Sequence, residues 1–156
     1  MQLTQAPVAT AGMLIRRPVA EVYAAFVDPA ITTQFWFTQS SGRLEPGAHV
    51  QWDWEMYNAS AQVYVRALEP NRRILIDWGA PDALTTVEWR FTARPDGTTF
   101  VEIANSGFAG SDDERVTQAI GSAGGFALVA AGLKALLEHG IRLNLVADRF
   151  PAGLDV

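Results

Sequence analysis

The stretch His49-Val50-Gln51-Trp52-Asp53-Trp54-Glu55-Met56 decides how the rest of the chain is read. Val50, Trp52, Trp54 and Met56 alternate with His49, Gln51, Asp53 and Glu55, the period of two that gives a strand one apolar and one polar face. A turn at Tyr57-Asn58-Ala59 leads to a partner strand in which Val63, Val65 and Ala67 alternate with Gln62, Tyr64 and Arg66, ended by Pro70-Asn71. Ile74, Ile76 and Trp78 form the next apolar face, broken by Gly79-Ala80-Pro81-Asp82, and Val87, Trp89 and Phe91 form another. Beyond the turn signal Pro95-Asp96-Gly97, Thr99, Val101 and Ile103 alternate with Phe100, Glu102 and Ala104. Strands that follow one another through short turns with no helix between them are antiparallel neighbours.

On either side of this block the period is different. Upstream, Met13-Leu14-Ile15 marks a first strand within residues 8–16. Pro18 stops it and suits the first turn of a helix whose apolar positions are Val19, Val22, Tyr23, Phe26 and Val27. Asp28 caps a second short helix with Pro29 at its first position, predicted to run to about Phe35. Downstream, Ser111-Asp112-Asp113-Glu114 fits a capping box. Gly121, Gly124 and Gly125 are expected to interrupt or weaken the helix that follows, each at about 1 kcal/mol against alanine. Phe126, Val129, Ala130, Leu133, Leu136 and Leu137 then make one apolar stripe, with His139 in the last turn and Gly140 as C-cap. The tail is apolar enough that Leu143, Leu145 and Phe150 are expected to pack on the domain.

The predicted class is therefore α+β: a curved antiparallel sheet of about six to seven strands around one long C-terminal helix, with two short helices after the first strand. Residues 1–156 form a single domain, since neither a repeat nor a linker divides them. At this length a domain buries roughly 68–70% of its unfolded surface, so a self-sufficient core is available. A sheet that grips a helix closely at one end and splays at the other leaves a cavity between them.

Composition narrows the function. The chain has 12 basic and 17 acidic residues, a formal charge of −5 and no cysteine, which removes thiol chemistry and cysteine-ligated zinc. With no basic block beyond Arg16-Arg17 and Arg72-Arg73, nucleic acid is not an expected partner. The apolar run at 126–137 is too short for a membrane span and carries Lys134, so no membrane insertion is expected. Residues 1–12 contain no signal-like apolar run, and the cytoplasm is the expected compartment.

Several pieces taken in order resemble the heat-shock ATPase-activator homologue branch of the START-like superfamily, whose members are often called polyketide cyclase-like. They are PVAEVYAAFVDPAITTQFW from Pro18, RLEPGAHVQWDW from Arg43, ALEPNRRILIDW from Ala67, PDGTTFVEIANSGF from Pro95 and GLKALLEHG from Gly132. The resemblance covers roughly residues 10–140 and implies the helix-grip fold. It also implies a choice of functions. Some members bind lipids, sterols or plant hormones, some act on polyketides, and the eukaryotic namesakes stimulate the ATPase of heat-shock protein 90.

Five tryptophans stand out. Trp52, Trp54, Trp78 and Trp89 fall on inward faces and Trp36 lies where the second helix meets the sheet, so they either line a pocket for an apolar or aromatic ligand or fill the space beneath the helix. Phe126, Val129 and Leu133 would supply the helix side of such a pocket. Asn105 continues the inward face of the last strand and either orients a ligand or ties down the turn after it.

Catalytic patterns are weaker. Asp53, Glu55 and Asp77 share solvent-facing positions by alternation, and His49 and His139 have no partner at metal-ligand spacing, so no metal or other cofactor is expected. The serines lack a G-x-S-x-G elbow, and GSAGG at 121–125 is not a dinucleotide fingerprint. Those glycines are expected to serve close helix-to-sheet packing or a kink that opens the pocket. The expected function is binding of a small hydrophobic or aromatic molecule such as a lipid, sterol or polyketide-like compound. A polyketide cyclase or dehydratase and a co-chaperone-type interaction module are the alternatives, and a homodimer is compatible with the sequence.

Overall fold

The computed structural model describes residues 1–154. His49–Trp54 forms β3, whose alternation places Val50 and Trp52 in the core. Around it, Ala9–Ile15 (β1), Gln39–Ser40 (β2), Ala59–Glu69 (β4), Arg73–Gly79 (β5), Thr85–Ala93 (β6) and Thr99–Ser106 (β7) complete one sheet. The strand order is β1-β7-β6-β5-β4-β3-β2, and every neighbouring pair is antiparallel. The helices α1 (Val19–Val27) and α2 (Pro29–Thr32) carry the chain from the β1 edge to the β2 edge. The long helix α3 (Asp112–His139) lies across the concave face, and a short α4 (Leu145–Arg149) follows.

Register explains the core. Trp52 stands opposite Ala61 and Val63 opposite Trp78, so large rings meet small partners across the strands. Ile74 faces Trp89, and Trp89 faces Ile103. On β1 the core-side residues Ala9 and Ala11 are small, which lets α3 lie close to this strand. On its outer face Gly12 is covered by Phe100, whose Cζ would sit 2.8 Å from an added Cβ.

Four local expectations are corrected. Glu55–Tyr57 forms a 3-10 turn rather than the end of β3, with Asn58 in the left-handed conformation that asparagine tolerates, so Met56 is exposed. A bulge between Val65 and Ala67 in the β4–β5 pairing leaves Arg66 unmatched, turning Ala67 outward and Leu68 toward the core. α2 stops at Thr32, short of Phe35. The helix α3 runs on through Gly121, Gly124 and Gly125, so of the two effects expected of these glycines the interruption does not occur; it is capped by Ser111 and Glu114 as expected, and ends at Gly140 with φ +65°. By length and composition α3 could cross a membrane, a longer apolar span than residues 126–137 suggested, but here it is the helix the sheet grips.

The C-terminal half of α3 is pinned to β1 by a small ionic network. Lys134 Nζ donates to the Leu14 carbonyl at 2.7 Å and to Glu138 at 2.7 Å, and the same carboxylate accepts the Arg16 N–H at 3.0 Å. Burial pushes the Glu138 carboxyl up, but the hydrogen bonds from Lys134 and Arg16 outweigh it and hold it below the ordinary glutamate range. A carboxylate depressed in the folded state stabilises above its unfolded value and loses that contribution as pH falls through the folded one. Glu138→Gln is therefore expected to cost about 1–2 kcal/mol at neutral pH. In paired urea melts the gap from wild type should close as pH drops below about 4.3, the free glutamate value. A gap constant with pH would contradict this account.

Candidate functional site: a cavity between sheet and helix

Over residues 112–125 of α3 only Ala119 is buried, whereas Phe126, Val129, Ala130, Gly132 and Leu133 are buried beyond it. The helix thus grips the sheet with its second half. Its first half borders an open-mouthed cavity of about 750 Å³. The sheet side is made by Trp78 and Gly79 at the end of β5, Ala83 and Thr85 before and within β6, and Asn105 on β7. Trp36 closes the inner end, and Tyr57, Val146, Arg149 and Phe150 stand around the mouth.

The three glycines explain why space remains. A Cβ built on Gly121, Gly124 or Gly125 meets nothing within 4 Å, so these positions are neither tightly packed nor kinked, correcting the expectation of close packing. Close approach belongs instead to Gly132, whose added Cβ would lie 3.4 Å from the Phe35 carbonyl oxygen. The cavity persists where these three glycines carry no side chains, between the Ile120, Ser122 and Phe126 side chains that the same helix sends to its wall.

Trp36 is the hub of the aromatic wall. Its ring centroid lies 4.9 Å from Trp52, 6.2 Å from Trp54, 5.7 Å from Trp78, 6.0 Å from Trp89 and 5.7 Å from Phe126. Of the residues singled out from the sequence, the structure brings Trp36, Trp78, Asn105, Phe126 and Val129 to the cavity. Trp52, Trp89 and Leu133 are in the packed core, and Trp54 is half-buried beside Trp36, Phe37 and Trp78. The two uses weighed for the tryptophans are thus divided among them, two on the cavity wall and the rest filling space.

Asn105, 2% exposed, spends its amide inside the protein. Its Nδ2 donates to Thr85 Oγ1 at 2.9 Å and to the Thr86 carbonyl at 2.8 Å, and Ser122 Oγ donates to its Oδ1 at 2.7 Å. One side chain therefore joins β6, β7 and α3 at the cavity wall. Thr85 accepts there but has no acceptor for its own hydroxyl hydrogen among the described residues, leaving a donor on the wall.

The tail roofs the mouth. The Tyr57 hydroxyl is shared between the Val146 and Ala147 carbonyls, Phe150 meets Tyr57 edge-on at 6.1 Å, and Val146 packs toward the core. The anchor is therefore Val146, with Leu145 half-buried, while Leu143 and Phe150 stay exposed, contrary to expectation. None of Tyr57, Thr85, Ser122 and Arg149 was a sequence candidate. The apolar tail and the helical glycines were their only available signals.

The carboxylates weighed as acids or bases point elsewhere. Asp53 is hydrogen-bonded by Ser60 and Gln51, which hold it below the usual carboxylate range. Glu55 lies on the exposed 3-10 turn, and Asp77 accepts from Thr86 Oγ1. His49 stacks on Tyr64 and bonds Gln62. Among the described residues lining the cavity, only Tyr57 and Arg149 are ionisable, so its chemistry is apolar enclosure with a few polar contacts.

A curved antiparallel sheet gripping a C-terminal helix, with a cavity between them, defines a helix-grip protein of the START-like class. The chain belongs to the family described as activator of Hsp90 ATPase homolog 1-like proteins, whose model matches residues 16–138. Among solved structures it is similar to protein SSP2350 from Staphylococcus saprophyticus, with 30% identity, TM-score 0.74, and 88% of this chain and 96% of that one covered. The Aha1 dimer from Colwellia psychrerythraea matches at 17% identity and TM-score 0.74, covering 86% of this chain and 98% of that one. CalU16 from Micromonospora echinospora matches at 17% identity and TM-score 0.67, covering 97% and 96%. No curated protein matches the sequence.

Proposed function

We propose that the protein binds a small hydrophobic or aromatic molecule, of lipid, sterol or polyketide-like character, in the cavity between the sheet and α3. The observation that carries this reading is the combination of aromatic lining at Trp36 and Trp78 with a facing helix that adds Phe126 and is emptied at Gly121 and Gly125. The volume is that of about 25 water molecules at ~30 Å³ each, and it falls within the usual range of ligand pockets. A ligand burying roughly 300–400 Å² of apolar surface would gain about 7–10 kcal/mol. After the cost of immobilisation that corresponds to micromolar rather than nanomolar affinity.

Binding is favoured over cyclase or dehydratase catalysis by the residues at hand. The Tyr57 hydroxyl is occupied by backbone carbonyls, and among the described residues the wall carries no carboxyl or imidazole to serve as an acid or base. Two measurements test the binding reading: native mass spectrometry of freshly purified protein, and tryptophan-fluorescence titration with fatty acids, sterols and aromatic polyketides. Trp36 and Trp78 should report occupancy as a saturable change in intensity or emission maximum. A flat response to all three classes, with no co-purified adduct, would count against it.

A further inference from the structure

Among the described residues that line the cavity, Arg149 carries the one formal charge. It stands on α4 at the mouth, where the Tyr57 hydroxyl holds the Val146 and Ala147 carbonyls of the same turn. Its guanidinium lies 4.4 Å over the ring of Phe150, itself a lining residue, so the charge is steadied on an apolar platform. Arg17, Arg43, Arg66, Arg73, Arg90 and Arg115 each pair with a carboxylate, whereas Arg149, like Arg16, Arg72, Arg94 and Arg142, pairs with none among the described residues, and of these unpaired arginines it is the one that lines the cavity. In a chain of net charge −5, a cation with no carboxylate partner among the described residues, beside a cavity otherwise lined by uncharged side chains, is a local reversal of sign.

We propose that the cavity's ligand is an amphipathic carboxylate, with its apolar body against Trp36, Trp78 and Phe126 and its acid group at the mouth on Arg149. This rests on the binding function proposed above and names the chemical class of the ligand. A planar guanidinium takes a carboxylate through two parallel N–H···O bonds, which fixes the orientation of the molecule as well as adding attraction. Because Arg149 is exposed, the gain is modest, about fivefold in affinity. An aliphatic and an aromatic acid share this chemistry, and the test separates them.

The experiment is isothermal titration calorimetry of the full chain with two matched pairs: decanoic acid against decanol, and naphthoic acid against naphthylmethanol. Wild-type protein should bind the acid of at least one pair about fivefold more tightly than its alcohol, and added salt should erode that advantage. Arg149→Gln should remove the advantage, its thermal midpoint serving as the control for folding. The pair that shows the effect tells whether the body recognised is lipid-like or aromatic. Equal binding of acid and alcohol by wild type, or an acid preference that survives Arg149→Gln or high salt, overturns the carboxylate assignment while leaving cavity binding intact. No binding of any of the four compounds also overturns the carboxylate assignment, and the binding function itself then stands or falls on the sterol and polyketide titrations described above.

Discussion

Replacing Trp36 with alanine is expected to cost about 3–5 kcal/mol of folding stability, the largest loss from any single truncation in the aromatic cluster. The residue is 7% exposed, and its ring is within 6.5 Å, centroid to centroid, of Phe26, Phe37, Trp52, Trp54, Trp78, Trp89 and Phe126. Truncation removes the transfer free energy of a large ring and leaves its neighbours facing a void that opens into the cavity, where no side chain is placed to collapse inward. Trp54→Ala should cost less than half as much, because that ring is only partly buried and has three aromatic neighbours, Trp36, Phe37 and Trp78, where Trp36 has seven. In a domain of this length the Trp36 variant should melt about 10 °C below wild type. Far-UV circular dichroism is the proper readout, since the substitution changes the fluorescence signal itself. A Trp36→Ala protein within about 1 kcal/mol of wild type would show that the cluster is not cooperative.

The sheet was readable in the sequence because each strand buries one face. A one-residue slip would exchange Trp52 and Trp89 with Asp53 and Arg90, so alternation specifies inward and outward positions strongly. The same logic fails where the local period changes without a change in composition. Met56 continues the alternation of β3 in sequence, but the chain has already begun to curl at Glu55. Ala67 continues that of β4, but the extra residue at the bulge reverses the parity after Val65. Neither event has a side-chain signature, because both are set by how neighbouring strands must bend to wrap a helix.

The candidate site was less legible than the fold. The alternation marks the aromatic sheet face and Trp36 stands beside it, and of the five tryptophans only Trp36 and Trp78 reach the cavity. The division depends on where α3 lies: close to β1 and β7, with its second half pressed down and its first half lifted. Tertiary placement of that kind leaves no periodic trace. Ser122 and Thr85 are ordinary polar residues until Asn105 joins them across three elements. Arg149 and Tyr57 come together at the mouth only through a tail whose packing point is Val146.

The glycines of α3 give the sharpest separation of stability from function. Gly121 and Gly125 are one turn apart on the same helix face, and an added Cβ at either meets open space. Glycine in a helix interior costs roughly 0.5–1 kcal/mol relative to alanine, and here no close contact or positive φ repays it. The double substitution Gly121→Ala/Gly125→Ala should therefore stabilise the fold by about 1–2 kcal/mol, raising the melting midpoint by several degrees. Gly125→Leu should be at least as stable as wild type, since leucine is nearly as good a helix former as alanine and its side chain has room. It should nevertheless weaken binding of a cavity ligand about tenfold or more, because four added carbons occupy the space the ligand needs. Stability and affinity would then move in opposite directions, the pattern expected when a helix keeps glycines to hold a cavity open. Should Gly125→Leu lose stability, the space around this helix face is smaller than the geometry indicates. If it gains stability and binds hydrophobic probes as well as wild type does, the cavity is not where they bind.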